Sequence, residues 1–186
     1  MFQIRIHGRG GQGVVTAAEL LSAAAFVEDK YAQAFPSFGS ERMGAPVVSY
    51  CRIDEKDIRS REPINTPDAL IIQDSTLLNS VDVFQGLNPE GYILINSRRS
   101  FEELGIADFV AKFPPAHVCD VGATELALKH VGRPVPNAAL LGGFAAISGQ
   151  ISLSSVEKAI HEKFPGDVGE ANAAAAREAF DIAKGL

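Results

Sequence analysis

Hydrophobic and polar residues alternate at the start of the chain. Phe2, Ile4 and Ile6 are apolar, Gln3, Arg5 and His7 polar, and this period of two predicts a first strand. The period changes after a run of glycines. Between Val14 and Val27, Ala17, Leu20, Leu21 and Ala24 recur at helical spacing and predict a helix. Tyr31–Phe35 reads as a short second strand, Pro36–Pro46 as a loop rich in Gly, Ser and Pro, and Val47–Ile53 as a third strand. Ala69-Leu70-Ile71-Ile72 is an unbroken apolar run, the mark of a parallel strand buried on both faces. Tyr92-Ile93-Leu94-Ile95 is another, after the turn Asn88-Pro89-Glu90-Gly91. His117–Val121 completes the set as a sixth strand.

From Ala123 onward the pattern is helical. Asn137 is placed to cap a helix running through Ile147, and Ser154-Ser155-Val156-Glu157 fits a capping box. Val156, Ile160 and Phe164 give one apolar face, and Ala176, Ala179, Phe180 and Ala183 another. Pro134–Val156 carries no charge, but its continuous apolar part, Ala138–Ile147, is too short to span a bilayer and fits a buried helix. Strands alternating with helices predict an α/β fold: a Rossmann-like, mostly parallel sheet flanked by helices, with additional helices at the C-terminus. The 186 residues suit a single domain over 1–186.

Composition narrows the function. With 17 Lys and Arg against 23 Asp and Glu, the net charge is −6, which argues against nucleic acid as a partner. Cys51 and Cys119 are too few for a four-cysteine cluster or a disulfide framework, and read as free thiols in a reducing cytoplasm. No signal peptide opens the chain, and neither a membrane span nor a metal-ligand spacing is found.

Candidate chemistry begins at Gly8-Arg9-Gly10-Gly11-Gln12-Gly13, between the first strand and the first helix. Gly8-x-Gly10-x-x-Gly13 matches a dinucleotide fingerprint, in which glycines let backbone N–H groups approach a phosphate at a helix N-terminus. A nicotinamide site also needs an acid at the end of the second strand to hold the ribose. That end reads Ala32-Gln33-Ala34-Phe35-Pro36 and has none. A phosphate-bearing ligand other than NAD is therefore the favoured reading, ahead of a purely structural turn and of NAD itself. The loop Phe38-Gly39-Ser40-Glu41-Arg42-Met43-Gly44-Ala45-Pro46 places an acid and a base between glycines, and Arg98 and Arg99 directly follow the strand that ends at Asn96. Loops after parallel strands gather at the carboxyl edge, so Arg9, Arg42, Arg98 and Arg99 are expected there, where a guanidinium suits phosphate or carboxylate. The alternative is that each is merely solvated or paired across a subunit contact. His7, His117, His130 and His161 are scattered, and His7 reads as packed or hydrogen-bonded rather than catalytic. No nucleophile elbow, P-loop or thiamine diphosphate motif is present.

Ile4-Arg5-Ile6-His7-Gly8-Arg9-Gly10-Gly11-Gln12-Gly13 with Ala17-Ala18-Glu19-Leu20 resembles the start of the gamma subunit of 2-oxoacid:ferredoxin oxidoreductases. Phe35-Pro36-Ser37-Phe38-Gly39-Ser40-Glu41-Arg42 with Gly44-Ala45-Pro46 resembles that family's second signature, although Met43 stands where the family often has Arg or Thr. Pro136-Asn137, Leu140-Leu141-Gly142 and Val156-Glu157-Lys158-Ala159-Ile160 resemble its C-terminal helices. The resemblance implies a non-autonomous subunit of an enzyme, most closely of the pyruvate type, that converts a 2-oxoacid and coenzyme A to acyl-CoA and CO2 while reducing ferredoxin. Phenylglyoxylate and 2-oxoglutarate are the alternative substrates. It implies alpha, beta and ferredoxin-like delta partner subunits that carry thiamine diphosphate and [4Fe-4S] clusters, and no catalytic or metal-ligating residue in this chain. Gly8, Arg9, Gly10, Gly11, Gln12, Gly13, Ser40, Glu41, Arg42, Arg98 and Arg99 become the candidate contacts for coenzyme A. Two rival readings are a purely structural interaction subunit and a free-standing NAD-binding protein.

Overall fold

The computed structural model describes residues 1–37 and 42–185. Six strands form one sheet: β1 (Phe2–Arg9), β2 (Tyr31–Pro36), β3 (Pro46–Asp54), β4 (Ala69–Ile72), β5 (Tyr92–Asn96) and β6 (Val118–Val121), in the spatial order β2-β3-β1-β4-β5-β6. β1, β4, β5 and β6 are parallel, with Ile6 opposite Ile71, Ile71 opposite Leu94 and Ile95 opposite Asp120. The apolar runs sit at the centre of this sheet, and Leu70, Ile71, Ile93 and Leu94 are wholly buried. The other side is antiparallel: β3 runs against both β1 and β2. Chain length explains the reversal. The connection from Pro36 to Pro46 is too short for the helical crossover that a parallel neighbour requires, so the chain turns back as a hairpin.

One face of the sheet carries the helices α1 (Val14–Val27), α3 (Ala123–His130), α4 (Asn137–Ser148), α5 (Leu153–Lys163) and α6 (Asp167–Lys184). Ile4, Ile6, Leu21, Leu94 and Phe144 meet there in the larger core. The uncharged stretch forms α4, which is buried along almost its whole length between the sheet and the outer helices. Two helix starts differ from expectation. Asn137 is already helical, after Pro136; from that position its Oδ1 accepts the Ala138 N–H at 2.8 Å, and its Nδ2 lies 3.5 Å from the Gly13 carbonyl. α5 is capped by Ser152, whose hydroxyl accepts from the Ser155 N–H at 3.2 Å, so Ser154 lies inside the helix.

The opposite face is covered by irregular chain, a 3₁₀ turn at Ser75–Asn79 and the short α2 (Ala107–Val110), around Ile72, Leu77, Ile93, Ile95 and Phe113. Beneath β1 this covering is held by a buried cation. The Arg5 guanidinium donates to the carbonyls of Val83 at 2.9 Å and Gln85 at 2.6 Å, and its Nε donates to His7 Nε2 at 3.0 Å. His7 is therefore a neutral acceptor; burial first and the Arg5 charge second push its pKa down to about 3.

Candidate functional site

β1, β4, β5 and β6 all end at one edge of the sheet, and β2 runs in the same direction as β1, so the loop after it arrives there too. The edge has two parts. At β1 the glycine loop and the segment after residue 41 lock together. Gly10 N–H donates to the Ala45 carbonyl at 2.9 Å, and Gly44 N–H donates to the Gly10 carbonyl at 3.0 Å. A Cβ at Gly10 would collide with the carbonyl of Arg42, and one at Gly11 with the Met43 thioether. Gly8 packs against Val14 and Gln73, and Gly13, at φ 73°, faces the Asn137 amide. These glycines are needed for close approach, as the fingerprint demands, but the approaching groups belong to the chain itself. Ser40 and Glu41 lie outside the described residues.

Arg9 is committed in the same way. Its guanidinium donates to the Gly44 carbonyl and to Thr76 Oγ1, each at 3.0 Å, and its Nε lies 3.4 Å from Asp74 Oδ2. Gln12 also serves this knot: Oε1 accepts from the Arg9 N–H at 2.8 Å, and Nε2 donates to Asp74 Oδ2 at 2.7 Å. Asp74 further accepts from the Thr76 N–H at 2.9 Å and from the Thr76 hydroxyl. Burial alone would raise the Asp74 carboxyl. The hydrogen bonds from Thr76 and Gln12, with the charge of Arg9, outweigh that and hold it below the usual carboxylate value. Asp74 lies two residues beyond the end of β4, the strand that is the parallel neighbour of β1. The acid sought at the end of the second strand thus stands after the fourth, with both oxygens engaged by other parts of the chain.

The second part opens over β4, β5 and β6. A cleft of about 310 Å³ lies between Gln12, Gln73 and Asp74 on one side and Ser97, Arg98, Arg99 and Glu125 on the other. It occupies the crevice that open α/β sheets use for ligands, outside the carboxyl ends of parallel strands. Asn96 builds its floor. Its Nδ2 donates to the Gln73 carbonyl at 2.9 Å and to Thr124 Oγ1 at 2.8 Å, and its Oδ1 accepts the N–H groups of Ala123 and Thr124. One side chain thereby ties β4 to β5 and caps α3. Gln73 donates to the Gln12 carbonyl, while its buried Oε1 has no partner among the described residues. Arg98 and Arg99 are exposed, and neither guanidinium makes a hydrogen bond or ion pair among the described residues. The structure thus brings Gln12, Arg98 and Arg99 to one cleft. It places Arg9 in the knot, and Arg42 exposed on the segment that covers Gly10.

Gln73, Asp74, Asn96 and Thr124 escaped the sequence reading. The first three carried a signal: a polar residue directly after a buried apolar run ends a parallel strand, and Ile72 is followed by Gln73-Asp74 as Ile95 is by Asn96. Cys51 on β3 and Cys119 on β6 are free thiols, pushed up by burial to about 12 and about 11, with Asp120 contributing to the second. Four strand spacings separate their strands, roughly 19 Å. Among the described residues no group of His, Cys, Asp and Glu is placed to hold a metal ion, and no helix is long and apolar enough to cross a membrane.

Residues 3–182 match the sequence family described as pyruvate ferredoxin/flavodoxin oxidoreductase. The pyruvate/ketoisovalerate oxidoreductases common subunit gamma of Pyrococcus abyssi is 49% identical over 181 residues, covering 97% of this chain and 96% of the relative. The pyruvate synthase subunit PorC of Methanothermobacter marburgensis is 45% identical, covering 99% and 98%. The crystal structure of the pyruvate oxidoreductase subunit PORC of Thermotoga maritima superposes with a TM-score of 0.81 at 36% identity, covering 97% of this chain and 95% of that one.

Proposed function

The chain belongs to the pyruvate ferredoxin/flavodoxin oxidoreductase family, and from that premise we propose that it is a gamma subunit whose Arg98–Arg99 cleft holds the phosphates of coenzyme A. The complex oxidatively decarboxylates a 2-oxoacid, passes the acyl group to the coenzyme A thiol and passes two electrons to ferredoxin. Alpha, beta and delta partners supply thiamine diphosphate and the iron–sulfur clusters. This chain's donors do not suit a cluster, because its two thiols stand on strands four spacings apart.

The observation that carries the reading is the contrast in charge along one edge. Arg9 is already neutralised by Asp74, whereas Arg98 and Arg99 stand side by side in the crevice without a partner among the described residues. Planar guanidinia grip phosphate oxygens in pairs. Pyruvate is the favoured 2-oxoacid, since the relatives carry pyruvate in their names. The Pyrococcus relative is named as common to pyruvate and ketoisovalerate oxidoreductases. A gamma subunit shared between two acyl chains fits a cleft that reads coenzyme A and not the 2-oxoacid side chain.

The test is Arg98→Ala and Arg99→Ala in the assembled complex. Each change removes a charge-assisted hydrogen bond worth roughly 1.5–3 kcal/mol, so the KM for coenzyme A should rise about tenfold or more. Decarboxylation before acyl transfer, followed as CO2 exchange, should be unchanged. Normal coenzyme A kinetics in both variants would remove the cleft from the binding site.

A further inference from the structure

β6 is the last strand on its side of the sheet. Ser97 N–H donates to the Val121 carbonyl, so Val121 turns its main chain toward β5, and the alternation of the strand turns the Asp120 N–H and C=O outward. Neither has a main-chain partner among the described residues. Beside this edge runs a groove of about 380 Å³, lined by Phe101, Ala107, Val110, Phe113 and Val118, with Glu102 at its side. The groove exists because irregular chain and the single turn of α2 cover this face, where a long helix would have closed it. It lies apart from the Arg98–Arg99 cleft and shares no residue with it.

We infer that the groove and the β6 edge together receive an extended segment of another subunit, apolar at alternate positions and carrying Lys or Arg between them. The inference rests on the reading of this chain as a subunit of a larger oxidoreductase. A strand laid along β6 completes the outward hydrogen bonds of Asp120 and runs for about 13 Å, four residues at strand rise. Every second side chain of such a strand falls on the face where Val118 already points, into the groove. Charge selects the occupant. Glu102 lines the groove, Glu103 and Asp108 are exposed on the same stretch of chain and Asp120 lies on the strand, so four acids stand against the single exposed base Lys112, in a chain of net charge −6. Pairing β6 with β6 of a second copy would bring these acids against their own duplicates, and like charges across paired strands repel. A basic, apolar segment meets the opposite sign and is drawn to the site.

Two variants test the surface without entering the core. Ala111 is exposed and lines the groove, so Ala111→Arg fills it with bulk and a charge that repels a basic segment. Asp120→Pro removes the outward N–H and takes no bond from β5. Glu162→Lys, exposed on α5, is the control. The tagged full chain is co-expressed with the other subunits and isolated at physiological salt. Both variants should retain about tenfold less of the other subunits than the control, and amides 117–122 should exchange about tenfold more slowly in the wild-type complex than in the free chain. Retention equal to wild type in both folded variants overturns the inference and leaves the subunit reading standing. A folded wild-type chain that retains no subunit at all overturns both. A free-chain dimer abolished by Ala111→Arg overturns the inference in favour of self-association.

Discussion

At the β1 end of the carboxyl edge, Arg9 donates to Gly44 and Thr76 and faces Asp74; at the β5 end, Arg98 and Arg99 face only the cleft. The two regions are built from similar materials, a loop after a parallel strand with an arginine in it and a helix N-terminus nearby. They differ in what satisfies them. In the first, every polar group just named is met by another part of the chain, and the segment from Arg42 to Ala45 packs directly on Gly10. In the second, the main chain is secured by Asn96 while the charges are left over. A glycine-rich loop at a helix start is therefore not by itself a phosphate cradle. What matters is whether the close approach it permits has already been used.

Three substitutions press on the first region. The largest effect is expected from Gly10→Val. Its new side chain must displace the backbone of Arg42, so the isolated chain should lose roughly 3 kcal/mol of stability in denaturant unfolding, the upper end for overpacking. Unchanged stability with a raised KM for coenzyme A would show that the loop yields and that a ligand does reach it. Asp74→Asn comes next, at about 1–2 kcal/mol, because charge-assisted bonds from Arg9, Gln12 and Thr76 become ordinary or are lost. This loss should depend on pH. The native Asp74 carboxyl titrates below its unfolded value, so its contribution is whole above about pH 4 and disappears as pH falls through the lower native value. Wild type and variant should converge in acid; a gap that stays constant below pH 3 would contradict the assignment. The smallest effect is expected from Gly44→Ala. Open space surrounds that position, so only its left-handed φ of 80° matters, and the cost should be about 1 kcal/mol. A much greater loss would mean that the segment meets something beyond Gly10.

Legibility along the chain followed burial. β4 and β5 could be read without ambiguity, since a strand covered on both faces is apolar at every position. The uncharged α4 was legible for the same reason. β3 was recognisable as a strand, yet its direction was not, because alternation is the same for a parallel or an antiparallel neighbour. The knot around Arg9 was illegible. Asp74 is remote in sequence from Arg9, and its partnership depends on β4 docking beside β1.

The sequence by itself determined the α/β class, the order of the strands and longer helices along the chain, the glycine fingerprint and the family resemblance, because periodicity, turn chemistry and short signatures are local. Only the tertiary structure decided which arginines remain available. That depends on which strand ends become neighbours, and local patterns do not encode strand order. Once β4 lies between β1 and β5, Asp74 is delivered to Arg9 and Asn96 to the start of α3. Arg98 and Arg99 are left with the solvent and the cleft.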